Sequence, residues 1–332
     1  MLAEEPGRIA RVFDAAAAIK RRRGLMIAIQ SALLAGTIVL CVFAVRADWT
    51  KARDRLANAD ILYLLLSVAA TAAYYLVFIL GWMRMLAAWR IRVPYRVALQ
   101  AEMVSMLAKY LPGGVWTPAA RTVALRKAGG VTDTPTVLAS ILVEAALSAV
   151  SGVIVFVVSL AWVRGVHAPL PLLIAFAVVL SAVLHPAAFR RVSAKILRPF
   201  GAGSMEPLPF RLTLELLVFY CATWLLGGAS LFFLLKSIHA SPGAASIAFL
   251  GGTAAIGAIV AVLAVFSPSG LGFREASMYG LLLTVTASGP ALDATIINRL
   301  VITLVELALF AVGVVSWRAA RRRPPHVGRQ HL

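Results

Sequence analysis

At 332 residues, 61% of them hydrophobic and 14% charged, with a mean hydropathy of +0.88, the chain lies far from the composition of a soluble domain. Its formal net charge of +18 would suit a nucleic-acid partner, but the basic residues sit at the ends of apolar runs. That is the pattern of topology-setting loops and anionic headgroups, so a nucleic-acid role is set aside. Cys41 and Cys221 both fall inside apolar runs, too few for a disulfide framework or a four-ligand metal site, and read as small fillers.

Residues 1–24 form a basic segment with six Lys or Arg, ending in Lys20-Arg21-Arg22-Arg23. Ile9 to Ile19 has the pattern of a short surface helix. The first span is expected at 25–45, too long an apolar stretch for a typical cleaved signal peptide, so the N-terminus is placed in the cytoplasm. A mixed-charge loop, Arg46 to Asp60, leads to a second span at 61–83, and Arg84, Arg90, Arg92 and Arg96 then mark the cytoplasm. Residues 97–111 are apolar apart from Gln100, Glu102, Ser105 and Lys109. At about 1.5 Å per residue they reach about 22 Å, short of a hydrocarbon core about 30 Å thick. The segment breaks at Pro112-Gly113-Gly114 and is followed by Arg121, Arg126 and Lys127. With both flanks basic, a hairpin that enters from and returns to the cytoplasm fits better than a span.

A third span, 135–163, carries Glu144 in its interior. The fourth, 170–185, lies between Pro169 and His185-Pro186; a basic loop and a fifth span at 212–235 follow. Residues 244–290 are interrupted by Ser267-Pro268-Ser269-Gly270-Leu271-Gly272-Phe273-Arg274-Glu275, where helix breakers and charges stand between apolar runs. The last span, 293–316, contains Arg299 and Glu306, and a basic tail, 318–332, follows. Segments assigned to the cytoplasm hold 24 Lys and Arg against 6 in the external loops, which places both termini inside.

The two breaks are related. Leu107-Ala108-Lys109-Tyr110-Leu111-Pro112-Gly113-Gly114 aligns with Leu263-Ala264-Val265-Phe266-Ser267-Pro268-Ser269-Gly270. Further on, Glu144–Val150 matches Glu306–Val312 in five of seven positions. The expected fold is an all-α polytopic membrane protein. It has six full spans and two broken or re-entrant hairpins within one membrane domain, 25–317, built as an inverted-topology repeat of about 25–163 and 170–317. The alternative makes 244–266 and 271–288 full spans, giving eight crossings.

The candidate functional residues are the charges that the bilayer would otherwise exclude. Lys109 fits a snorkelling cation as well as a ligand contact, and Arg121 a topology determinant as well as a ligand contact. Arg274 and Glu275 are neighbours that point different ways on a helix and so do not simply neutralise each other. Glu144 and Glu306 sit in long apolar spans as countercharges, coupling groups, or partners of Arg299 or Lys109. Helix N-termini just after Gly114 and Gly272 would offer free N–H groups and a positive dipole end to an anion.

At these motifs the sequence resembles the transmembrane region of the lysylphosphatidylglycerol synthase family, also described as flippase-like integral membrane proteins. The resemblance rests on Lys109-Tyr-Leu-Pro-Gly-Gly-Val-Trp116 with Arg121 downstream, on Pro268-Ser-Gly-Leu-Gly-Phe-Arg-Glu275, and on Asn298-Arg299-Leu300 with Glu306. It extends over most of the chain through span order. Ser269 departs from it where the family usually has a second glycine, and Ala120 where a glycine often precedes the arginine. In the best-known members this region is implicated in moving a lipid across the bilayer, while a separate cytosolic domain performs aminoacyl transfer. That second domain has no counterpart in these residues.

The resemblance therefore implies a lipid transporter or flippase of a bacterial-type cytoplasmic (inner) membrane. Lys109, Arg121, Arg274, Glu275 and Arg299 would line a headgroup path between breaks at Pro112, Gly113, Gly114, Pro268, Ser269, Gly270 and Gly272. Glu144 and Glu306 would serve as countercharge or coupling groups. The expected partners are membrane lipids, with lipid-biosynthesis enzymes as a further class. No cofactor or metal is expected, nor an enzyme activity: the sequence has no His-Glu-x-x-His helix, aspartate-rich motif or Gly-x-Ser-x-Gly elbow. A non-transporting accessory role in a lipid-synthesis complex is the alternative, and an intramembrane lipid-modifying enzyme the third reading.

Overall fold

The computed structural model describes residues 57–109, 116–166, 168–198, 203–265 and 267–321, and among these the regular structure is helical. In chain order the helices are α1 (Ile61–Ala88), α2 (Tyr95–Ala108), α3 (Trp116–Gly129), α4 (Thr134–Ser159) and α5 (Leu170–Leu184). They continue with α6 (Pro186–Leu197), α7 (Phe210–Ser237), α8 (Ile247–Leu263), α9 (Phe273–Leu282) and α10 (Ser288–Arg321). Local chemistry sets several of the ends. Asp60 caps α1 by accepting the Leu62 N–H at 2.9 Å, and Asp133 caps α4 by accepting the Thr136 N–H at 3.2 Å. Pro186 lacks the N–H that would carry α5 onward, and α5 and α6 meet there at 83°.

Apolar side chains both fill the core and cover the outer surface, and a set of polar and charged groups is buried among them. Leu172, Val178, Val179, Val218 and Leu304 are exposed, while Ser67, Thr71, Ser230, Glu102, Arg121, Glu144 and Glu306 are buried. With little apolar contrast between helix and lipid, contact between helices depends on small residues and hydrogen bonds. Thr71 and Ser230 join α1 to α7 through their hydroxyls at 2.7 Å. Gly228 lets α7 and α8 cross almost in contact: a Cβ there would stand 2.1 Å from the Ile247 carbonyl oxygen. Gly252 does the same for α8 on α4, where a Cβ would lie 2.6 Å from Phe156 Cα. The apolar helix α8 is thus held between α4 and α7, with α9 folded back against it.

Among the described residues five stretches are long and apolar enough to cross a membrane: Ile61–Ala88, Thr134–Ser159, Phe210–Ser237, Ala244–Leu263 and Ser288–Gly313. Four of them coincide with expected spans. The expected span 170–185 is a 15-residue helix, α5, that reaches crossing length only if the bent pair with α6 counts as one span. Both expected breaks separate paired helices. α2 and α3 have 14 residues each, about 21 Å by the helical rise, and pack on one another. At the second break α8, part of the crossing-length stretch Ala244–Leu263 that the eight-crossing alternative expects as a full span at 244–266, is joined to a ten-residue α9, about 15 Å long. That is short of the crossing that an eight-span layout requires of 271–288. The expected first span at 25–45, the surface helix before it, the break at Pro112, Gly113 and Gly114, and the tail after Arg321 lie outside the described residues.

Candidate functional site

The second break is built from backbone conformations that side chains disfavour. Ser269 (φ +54°), Gly270 (φ +65°) and Gly272 (φ +82°) all lie in the left-handed region. Gly270 is also sterically required, since a Cβ would stand 2.3 Å from Ala261 Cα. The turn delivers Glu275 to the first turn of α9, where its Oε2 accepts the Gly272 N–H at 2.8 Å. Oε1 of the same side chain accepts from Arg299 of α10 at 3.2 Å, and Arg299 also reaches the Ser269 carbonyl at 3.5 Å.

Lys109, the residue after α2, meets this turn directly. The Ser269 N–H donates to the Lys109 carbonyl at 3.0 Å, joining the two hairpins through their main chains. The Lys109 ammonium pairs with Glu306 of α10, whose carboxylate also accepts the hydroxyl of Tyr75 from α1. Arg274 lies half-buried in the first turn of α9, close enough to Lys109 for their charges to interact, as Arg299 does. Its stem rests over Gly257 of α8, where a Cβ would come 3.4 Å from Arg274 Cγ. Among the described residues the Arg274 guanidinium makes no ion pair and no side-chain hydrogen bond. Three cations, Lys109, Arg274 and Arg299, thus face two carboxylates, Glu275 and Glu306. Among the described residues the cluster carries one positive charge in excess, and it is open enough to leave the Lys109 side chain 21% exposed.

A second cluster lies apart from the tips and is sealed. Arg121 of α3 pairs with Glu102 of α2 and Glu144 of α4, with none of the three side chains more than 4% exposed. Its guanidinium carbon lies 4.5 Å from the centre of the Trp82 ring of α1, and its Nε approaches Ser105 Oγ at 3.4 Å. Trp82 is itself held by donating to Ser140 Oγ at 2.8 Å. Tyr220 of α7 donates to Glu144 Oε1 at 3.4 Å. One cation here serves two carboxylates, and Glu102 Oε1 is buried with no hydrogen-bond donor.

The expected site residues therefore separate. Lys109, Arg274, Glu275, Arg299, Glu306, Ser269, Gly270 and Gly272 come together at the hairpin tips, with Pro268 in the turn. Arg121 and Glu144 do not join them, because α3 folds its arginine inward between α2 and α4. Of the two partners expected for Glu306, Lys109 takes it, whereas Glu144 pairs with Arg121 rather than with Arg299 or Lys109. Glu102, Tyr75, Tyr220 and Trp82 were not foreseen as site residues. Glu102 had a signal: with Ser105 and Lys109 it recurs at i, i+3 and i+7 on one helical face. The tyrosines had none, since single aromatic residues are common in apolar spans.

The tyrosine contacts cross between the two halves of the chain. Tyr75, early in the chain, donates to late Glu306, and late Tyr220 donates to early Glu144. Among the described residues no three His, Cys, Asp or Glu side chains converge as metal ligands would. Comparison with curated proteins finds no significant match. The family model described as the lysylphosphatidylglycerol synthase TM region matches residues 27–309, and with these motifs inside that stretch the chain belongs to this family.

Proposed function

We propose that the protein carries a lipid with a polar, phosphate-bearing or isoprenoid-type headgroup across the bilayer, along the path where the two hairpins meet. The observation that carries this reading is Arg274, a half-buried guanidinium with no anionic partner among the described residues, in a cluster whose described side chains are three cations and two carboxylates. A membrane lends such a group no solvent, so an anionic ligand is the partner that would complete it. Lys109 and Arg299 would share the headgroup, Glu275 and Glu306 would hold the cations when the site is empty, and acyl chains would stay in lipid. Irregular backbone at such a point is tolerated where it lines a polar cavity, as in transporters built from discontinuous helices.

The same reading makes the two halves an inverted repeat with both termini in the cytoplasm of a bacterial-type cell. The reciprocal tyrosine–glutamate contacts support it, because a pseudo-two-fold axis would exchange Tyr75–Glu306 with Tyr220–Glu144. The test is translocation of labelled lipids in proteoliposomes. The wild type is expected to move an anionic lipid, and Arg274→Ala to slow it by at least tenfold. Full activity in both Arg274→Ala and Glu275→Ala would overturn the assigned path. No translocation of any of several lipid classes would overturn transport itself, and would leave a non-transporting partner of lipid-biosynthesis enzymes.

A further inference from the structure

The sealed cluster has a charge balance that the headgroup path does not explain. Arg121 carries one positive charge, and Glu102 and Glu144 would carry two negative charges if both were ionised. No further cation reaches them among the described residues. The side chains shown around them are neutral: Trp82 and Tyr74 from α1, Ser105 from α2, and Tyr220 from α7. The one contact that Tyr220 offers goes to Glu144, and Glu102 Oε1 is left without a donor. A carboxylate pair sharing one guanidinium away from water is a place where one carboxylate keeps a proton, since two like charges at close range cannot both be compensated.

We propose that Glu102, Arg121 and Glu144 form a proton-binding station whose single exchangeable proton is coupled to movement of the lipid. The proton is taken from water as a carboxylate becomes a carboxylic acid, and is returned to water when that O–H bond breaks; nothing is oxidised or reduced. The coupling element is α2. Glu102 lies on α2 and Lys109 directly follows its last residue, seven residues on and about 10 Å away by the helical rise, at the proposed headgroup contact. A ligand that draws Lys109 away from Glu306 moves α2 as a rigid rod. It thereby changes the separation of Glu102 from Arg121 and Glu144, which α3 and α4 hold. Opening that contact admits water and releases the proton; closing it requires one. Tyr220 is placed to follow the change at Glu144.

This inference rests on the transport reading for its coupling but not for the proton itself, and the two are tested separately. Infrared spectroscopy of the purified full chain is expected to show a protonated-carboxyl stretch at neutral pH. The band should shift in heavy water, fade as the pH is raised, and be lost or moved in Glu102→Gln and in Glu144→Gln. The two variants guard against the failure of either one to fold. A spectrum with no such band assignable to these residues, or a band that persists unchanged to alkaline pH, would overturn the station. In proteoliposomes, an imposed pH gradient should change the wild-type translocation rate several-fold, and Glu102→Gln should abolish that response. A rate indifferent to the gradient in the wild type would overturn the coupling while leaving transport standing. Lipid movement absent altogether would instead count against the proposed function, with the infrared result unaffected.

Discussion

The two charge clusters use the same residue types to opposite effect. At the hairpin tips, three cations meet two carboxylates in a half-open site whose parts come from α2, α8–α9 and α10. Between α2, α3 and α4, one cation meets two carboxylates with almost no exposure. The first has a guanidinium to spare, the second a carboxylate oxygen to spare. A buried ion group with a matched partner can be structural, because breaking it strands a charge. One with an unmatched member points to a ligand or a proton that would complete it. The difference between the clusters is therefore one of stoichiometry and access, not of composition.

The largest test of this contrast is Arg121→Ala, which leaves two carboxylates without their cation in a sealed site. It should destabilise the protein by about 3–5 kcal/mol, read as a fall in thermal stability and in the yield of folded protein from detergent. Arg274→Ala, by contrast, removes a side chain without an ion partner. It should leave thermal stability unchanged or slightly raised while losing most transport, since no ion pair is broken and a charge held away from water is removed. Equal stability losses in the two variants would erase the distinction drawn between the clusters.

A smaller effect is expected at the Lys109–Glu306 pair. A double-mutant cycle with Lys109→Met and Glu306→Gln should give a coupling of about 1–3 kcal/mol, as groups in one contact network are not additive. A coupling near zero would mean that Tyr75, not Lys109, is the principal partner of Glu306. The smallest effect is at Ser269, which holds φ +54° where glycine carries no steric cost. Ser269→Gly should raise the stability of the tip by no more than about 1 kcal/mol, the relief of left-handed strain being partly offset by greater freedom in the unfolded chain. It should leave the headgroup charges in place, so a large loss of transport in this variant would show that the rigidity of the turn matters as much as its cations.

Much of the architecture was readable in the sequence, because hydrocarbon imposes simple rules. Apolar runs marked the helices at 61–88, 134–159, 210–237 and 288–313, within a few residues at most ends. The helix breakers at Pro268, Gly270 and Gly272 marked a turn with left-handed backbone, and the charges Lys109, Arg274, Glu275, Arg299 and Glu306 stood out against their surroundings. Three features were not readable. The 83° bend at His185-Pro186 depends on how α6 lies against its neighbours, since a proline states only that the helix cannot continue unchanged. Arg121 has the same sequence signature whether it faces a headgroup, the cytoplasm or the protein interior. Glu102 shares a helical face with Ser105 and Lys109, but that spacing does not say that α3 and α4 close over it.

The sequence by itself determined that this is a helical membrane protein, where its helices break, and which charges the bilayer must tolerate, because those follow from the cost of placing polar groups in hydrocarbon. Only the tertiary structure decided which charge meets which. Lys109 found Glu306 at a distance of nearly two hundred residues, while Arg121 turned to Glu102 and Glu144 within its own half. Pairing is settled by the close helix crossings at Gly228 and Gly252 and by the main-chain bond from Ser269 to Lys109. Those contacts set the distances between side chains and their shelter from water, and both govern the strength of an ionic interaction.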